Sequence, residues 1–387
     1  MANYDYEIVN GRKIRVRPKE TVSEIDKNGY FRRQPNHFTT PFGDGENDLK
    51  AEGNKRYRLV WAKLCHWSNR AAIVRELEGL EDQISVNMVE HAPHEKNLGW
   101  EYVYNENNID PVLGDQFLSE AYYRADDDYQ GRTTVPALID TTTGKVVNND
   151  YNWLTTYFEV NFRPWHKKGA PELYPVELRE EIDKMNLWLF DNINNAVYRS
   201  SFSRSNEGHF DGVNTFYAAM DRLEKRLETN RFLFGDYVTD SDIRLYVTLA
   251  RLDIRYTAQL GETKRPLYTY KNLWGYAKEL WEIPAFAHHT DFAAIIRQGR
   301  IEGEEDGFRA STHYDLALPK IDWDAQWKVS TERAYLSSDP THPIYLGNNR
   351  RFDIDPTWYD LGAESPKKEE KETPPSCGCC CGWSNHR

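Results

Sequence analysis

The sequence predicts an α/β domain followed by an all-α domain, each with its own core. Two observations carry this. Up to about residue 160, short strand-like apolar runs alternate with apolar residues at helical spacing. After a loop rich in Pro and Gly, from Arg163 to Pro175, the strand signals stop and four helical patterns follow. The 387 residues exceed what one core usually holds, and 12 Trp, 24 Tyr and 16 Phe supply apolar area for two. Residues 1–50 are expected to form an N-terminal arm, 51–165 the α/β domain, 166–305 the helical domain, and 306–387 an extension with a disordered Cys-rich tail.

The elements follow in order. The arm is polar, broken by Pro and Gly, and reads as irregular. Tyr57-Arg-Leu-Val-Trp-Ala62 has the composition of a mostly buried strand. Trp67, Ala71, Val74, Leu77 and Leu80 then recur at helical spacing, with Gly79 as the stop. Ile84 to Val89 alternates as a second strand, so strand, helix, strand implies a parallel pair with a right-handed crossover. A polar insertion runs from about Glu90 to Asp115. Phe117 to Ala125 reads as a helix, Thr134 to Asp140 as a strand with a Pro near its start, Lys145 to Val147 as a strand after the Gly144 turn, and Tyr151 to Phe158 as a helix. In the second half the helical spans are Glu177 to Asn194, Phe210 to Glu228, Asp240 to Arg255 and Leu273 to Trp281. Thr239-Asp-Ser-Asp242 offers a capping hydroxyl with an acid three residues on. Pro366 to Pro375 reads as a disordered spacer.

Composition excludes several functions. A net charge of −12 disfavours phosphate-backbone binding, so no nucleic-acid partner is expected. No run approaches the roughly 20 apolar residues needed to span a bilayer, and the N-terminus lacks a secretory pattern. The expected location is cytoplasmic, with no membrane partner. Of five Cys, four (Cys377, Cys379, Cys380, Cys381) crowd the tail, leaving Cys65 as the one thiol of the body. No disulfide framework can be drawn. His residues are scattered without ligand spacing, so no metal is assigned. There is no Gly-x-Ser-x-Gly elbow and no Gly-rich phosphate loop. The tail thiols suit soft-metal binding, lipidation or simple oxidation and are left unassigned.

Cys65 stands between a strand and the first turn of a helix, where free N–H groups and the helix dipole favour thiolate over thiol. An inert buried Cys is the plain alternative; position favours a reactive one. Cys65-His-Trp-Ser68 has the shape of a redox Cys-x-x-Cys with Ser in second place, so its disulfides would be mixed ones with a small thiol. Val135-Pro136 opens a strand where, in a thioredoxin-like sheet, a cis-Pro presents the preceding backbone to a thiol ligand. Asp150 suits either an ammonium group or a helix cap.

At these residues the chain resembles the glutathionyl-hydroquinone reductases, or Xi-class glutathione transferases, over roughly residues 20–300. Gly29-Tyr-Phe-Arg-Arg-Gln is similar to the family's arm, and Cys65-His-Trp-Ser stands where the family has Cys-Pro-Trp-Ala. Gly99-Trp100 and Gly131-Arg-Thr-Thr-Val-Pro136 resemble its Gly-Trp loop and its Gly-Arg-x-Thr-Val-Pro strand. In the helical half, Tyr174 to Asp183, Asp191 to Tyr198, Phe232 to Leu245 and Asn272 to Tyr276 are close matches.

The resemblance implies a glutathione transferase fold, a thioredoxin-like thiol-binding domain followed by a helical one, as a homodimer. It implies glutathione as co-substrate and a quinone-derived substrate. The implied activity removes glutathione from glutathionyl-hydroquinone adducts, with Cys65 as nucleophile and Tyr198 as donor near the quinone oxygen. Trp100, Arg132, Val135, Pro136 and Asp150 form the implied binding set, Val135 acting through its backbone. Three positions depart from the family pattern. His66 replaces Pro, Asn149-Asp150-Tyr151 replaces Asn-Glu-Ser, and the late Tyr pair is absent around Arg297 to Ile301. The second departure admits another small thiol in place of glutathione. Two other readings fit the same residues: a non-catalytic binding protein of this fold, and a conjugating glutathione transferase.

Overall fold

The computed structural model describes residues 4–17, 23–92, 98–261, 265–296 and 322–337. The spacer, the Cys-rich tail and the Arg297 to Ile301 stretch lie outside the described residues.

The first half is built on a four-stranded sheet in which Ile84–Met88, Tyr57–Trp61, Ala137–Asp140 and Lys145–Asn148 lie side by side in that order. Strand β3 (Tyr57–Trp61) is buried throughout, as its apolar run implied. It leads into helix α1 (His66–Glu78), which ends at Gly79 with φ 73°, a left-handed turn that favours Gly. Strand β4 (Ile84–Met88) then pairs parallel to β3, with Tyr57 opposite Ile84. Helix α2 (Leu118–Ala125) starts where Glu120 accepts the Phe117 N–H at 3.1 Å. Strands β7 (Ala137–Asp140) and β8 (Lys145–Asn148) complete the sheet antiparallel, and helix α3 (Leu154–Val160) closes the half. The order is the one read from the sequence, although α3 begins three residues later than its apolar pattern suggested.

Strand β3 divides the interior. Tyr57, Leu59 and Trp61 belong to the large core that continues into the helices of the second half. Val60 joins Ala137, Ile139, Leu118 and Tyr122 in a second core on the other face. Alternate side chains of a strand point to opposite faces, so one strand serves both.

The second half holds α4 (Arg179–Leu189), α5 (Ala196–Phe202), α6 (Asn206–Arg226), α7 (Asp240–Arg251), the short α8 (Thr257–Gln259), α9 (Lys271–Trp281) and α10 (Pro284–His288). Every residue of α7 is buried, which makes it the central helix. At its start Asp242 accepts the Thr239 N–H at 2.8 Å and the Thr239 hydroxyl at 2.9 Å, the cap the sequence indicated. Two expected helices are interrupted. The span ending at Asn194 is α4 followed by a π-helical turn, Phe190–Asn194, and α7 is followed by another, Leu252–Tyr256.

The arm departs from its expected irregularity. Strands β1 (Tyr6–Val9) and β2 (Arg12–Arg15) form a hairpin around Asn10 and Gly11, both with positive φ. That is the Asn-Gly turn whose twist matches its strands. The insertion holds a two-residue ladder, β5 (Glu90–His91) with β6 (Trp100–Glu101).

Candidate active site

Cys65 occupies the N-cap of α1 with φ −85° and ψ 118°. Its N–H donates to Ala62 O at 3.0 Å. Ser68, three residues on, locks the same turn: its hydroxyl donates to Ala62 O at 3.0 Å and accepts the Ala62 N–H at 3.1 Å. The place of a second redox thiol is thus taken by a group that holds the strand-to-helix corner. The Cys65 thiol is buried and donates to Val135 O at 3.6 Å. The Val135–Pro136 bond is cis, at the entry to β7.

The second half grips this corner. Arg251 of α7 donates to Leu64 O at 2.9 Å, to Lys63 O at 3.1 Å and to the Asn69 side chain. Tyr198 of α5 packs against both cores. Its phenol pKa is raised, first by burial and then by the charge of Cys65, and its ring lies 5.3 Å from that of His66, the residue after the thiol. The His66 ring is buried, with Nδ1 3.2 Å from both Thr248 Oγ1 and Tyr256 OH. Burial, then the positive charge of Arg251, Arg33, Arg70 and Arg255, pushes its pKa well below the usual value, so the imidazole is neutral.

The other expected residues lie along the arm. Arg132 pairs with Glu24 at 3.1 Å, while Gln34 donates to Arg132 O at 3.0 Å. The Asp150 carboxylate accepts the Asn36 amide at 2.9 Å and the Asn152 N–H at 3.0 Å, an Asx turn just before α3 rather than its cap. Trp100 donates its indole N–H to Thr133 O at 3.1 Å and stacks on His91. A cavity of about 220 Å³ opens beside Trp100 and Arg132, lined also by Arg17, Gly99, Tyr123 and Thr133. Burial raises the Tyr151 phenol pKa, and the positive charge of Arg33 and Arg132 opposes the rise.

Residues 197–279 match the glutathione S-transferase C-terminal domain. The chain is 35% identical over 280 residues to the glutathione S-transferase omega-like 2 of Schizosaccharomyces pombe, covering 70% of this chain and 88% of that protein. It is 33% identical to the glutathionyl-hydroquinone reductase YqjG of Escherichia coli, covering 62% and 73%. Among solved structures, the Xi glutathione transferase of Phanerochaete chrysosporium aligns with a TM-score of 0.64 at 33% identity, over 70% of this chain and 88% of that one. The chain belongs to the omega-like, Xi-class glutathione transferases. The glutathione-bound structure of YqjG aligns equally well, with a TM-score of 0.64 at 30% identity over 77% and 96%.

Set within this class, two of the departures take on a physical form. His66 stands at the first helical position, where Pro is also at home, and instead carries a ring into the contact between α1 and α7. Tyr151 lays its ring against Trp67, with centroids 4.7 Å apart, and is buried. Three residues of this region were not read for chemistry from the sequence. Tyr256, from the π-helical turn after α7, sets its ring 6.3 Å from that of Tyr198 and lowers the Tyr198 pKa in part. Arg33 lies over the rings of Tyr198 and Trp67, at 4.4 and 5.0 Å. Gln34 ties the arm to Arg132. For Arg33 and Gln34 a signal was present, since they close the arm motif; for Tyr256 the π turn became visible only in the structure.

Proposed function

We propose that the chain is a glutathione-dependent thiol reductase that removes glutathione from glutathionyl-hydroquinone-like adducts. The carrying observation is Cys65 at the N-cap of α1, with Val135 O at 3.6 Å from its sulfur. The Cys65 thiolate attacks the glutathione sulfur of the adduct. A Cys65–glutathione disulfide forms, the aryl carbon–sulfur bond breaks, and the ring takes up a proton and leaves as hydroquinone. A second glutathione, as thiolate, attacks that disulfide, releasing oxidised glutathione and restoring Cys65.

In this reading Tyr198 donates to the quinone-derived oxygen. Trp100, Arg132 and Asp150 hold glutathione, and the Val135 backbone, next to Pro136, faces its thiol end. The names of YqjG and of the reductase PcpF of Sphingobium chlorophenolicum support this substrate class. A reducing compartment rich in glutathione, the cytoplasm, is what the second step needs. The homodimer belongs to the same proposal, and sedimentation of the purified protein tests it.

The test is turnover of a glutathionyl-hydroquinone with glutathione by the full chain and by Cys65→Ser. The four tail cysteines are replaced by Ser in both, so that Cys65 is the one thiol. Turnover that disappears with Cys65→Ser supports the reading; turnover that survives contradicts it.

A further inference from the structure

We propose that Arg33 and the indole N–H of Trp67 form an anion site for the oxygen of the departing aromatic ring, so that the enzyme selects adducts able to leave as phenolates. This rests on the reductase reading above.

Buried polar groups in folded proteins almost always find partners, and those that do not need a reason. Near Cys65, Arg33 Nη2 and Trp67 Nε1 are obligate donors without a partner among the described residues. The same is true of His66 Nε2, whose role depends on its tautomer. They belong to one cluster. Arg33 lies 5.0 Å from the Trp67 ring and 4.4 Å from the Tyr198 ring, and the His66 ring is 4.2 Å from Trp67 and 5.3 Å from Tyr198. Asn195, three residues before Tyr198, accepts from Arg33 Nε at 2.7 Å and so fixes the guanidinium plane over these rings. Donors gathered without acceptors, in a chain of net charge −12, make a site for an acceptor that brings negative charge. The walls are aromatic, so the charge comes on a flat apolar body.

The chemistry supplies such a group. In the dienone tautomer of the adduct, one hydroxyl proton has moved to the ring carbon that bears sulfur. When the Cys65 thiolate bonds to the glutathione sulfur, the carbon–sulfur pair enters the ring and restores aromaticity. The negative charge that left Cys65 arrives on the former carbonyl oxygen as a phenolate, which then takes a proton from a hydroxyl or from water. A preplaced guanidinium at that oxygen favours the charge as it develops. Arg132 is paired with Glu24 on the arm and so is not one of these donors.

The experiment compares two substrates across wild type, Arg33→Gln and Arg33→Lys in the full chain. One is a glutathionyl-hydroquinone. The other is the mixed disulfide of glutathione and 2-mercaptoethanol, which uses Cys65 and the glutathione pocket but releases no phenolate. The expected result is a loss in kcat/KM of about 100-fold for the adduct with Arg33→Gln. The loss on the disulfide is at least about ten times smaller, and Arg33→Lys recovers part of the adduct activity, since it keeps charge without the planar fork. Equal losses on both substrates would make Arg33 a structural or glutathione-binding residue and overturn the proposal. No loss on the adduct would overturn it too. A wild type that turns over the disulfide and not the adduct would instead defeat the reductase reading, and this inference with it.

Discussion

Arg251 donates from Nε to the carbonyl oxygen of Leu64 at 2.9 Å, one residue before the nucleophile. The same guanidinium reaches Lys63 O at 3.1 Å and Val247 O at 2.7 Å. One buried side chain of the helical half therefore fixes the corner that presents Cys65. Arg251→Gln leaves buried carbonyls without donors, and a loss of about 3 kcal/mol is expected. Denaturant unfolding reads it, and an unchanged midpoint would show that the corner stands without Arg251.

The Glu24 carboxylate answers the Arg132 guanidinium, on which the proposed site depends for glutathione. Burial works to raise the Glu24 pKa, yet Arg132 and the Gln34 N–H outweigh it and the net shift is down, so the group is charged at neutral pH. A ligand carboxylate must compete with it. Glu24→Gln is expected to lower the KM for glutathione about threefold, and Arg132→Gln to raise it about tenfold or more. Steady-state kinetics with glutathione varied decides; a KM that rises in both variants would mean that the pair acts as one unit.

Helix α5 carries Tyr198 and is seated against Gly212 of α6. A Cβ at that glycine would stand 2.4 Å from Ser200 N and 2.8 Å from Ala196 O, both backbone atoms. Gly212→Ala must push α5 outward. The expected cost is about 1–3 kcal/mol of stability, together with a fall in kcat of about tenfold as Tyr198 is displaced. Melting and turnover measured together test this. A stable variant with wild-type kcat would separate Tyr198 from the chemistry.

The legibility of the fold followed the range of the interactions. The start of α1 at the nucleophile, its stop at Gly79 and the Thr239–Asp242 cap are set by neighbours in sequence, and each could be read there; the special peptide at Pro136 was legible only through the order of the strands around it. The hairpin at Asn10-Gly11 was equally local, but the polar arm hid it. The contacts of the arm were not legible in that way. Arg33 finds Asn195, Gln34 finds Arg132 and Asn36 finds Asp150, at separations of 162, 98 and 114 residues. Nothing in a local pattern encodes such pairings. Tyr256 was missed for a different reason: the π turn Leu252–Tyr256 shifts the helical register just where a 3.6-residue reading would continue.

Asp242 caps α7 and is wholly buried. Its carboxylate accepts from Leu233 N at 2.9 Å, Thr239 N at 2.8 Å, the Thr239 hydroxyl at 2.9 Å and Tyr276 OH at 2.8 Å. Burial nevertheless raises its pKa from 3.8 to about 6, against the pull of these donors. Between those two values the folded state holds a proton that the unfolded state has released. Stability from this group is therefore greatest below pH of about 4 and falls as pH rises to about 6. In Asp242→Asn that slope is absent, although the amide meets donors it cannot satisfy and the variant is weaker throughout. The wild-type advantage should shrink by an amount on the order of 2–3 kcal/mol across the window. Unfolding of both proteins from pH 4 to pH 7 measures it, and a constant difference would mean that Asp242 does not titrate there.

The most direct test of the central claim is mass spectrometry of the full chain after one turnover of a glutathionyl-hydroquinone without free glutathione. The tail cysteines are replaced by Ser. The expected result is one glutathione in disulfide linkage on the peptide that contains Cys65, stoichiometric release of hydroquinone, and discharge of the adduct when glutathione is added. Release of hydroquinone with Cys65 unmodified, or the same release from Cys65→Ser, would contradict it.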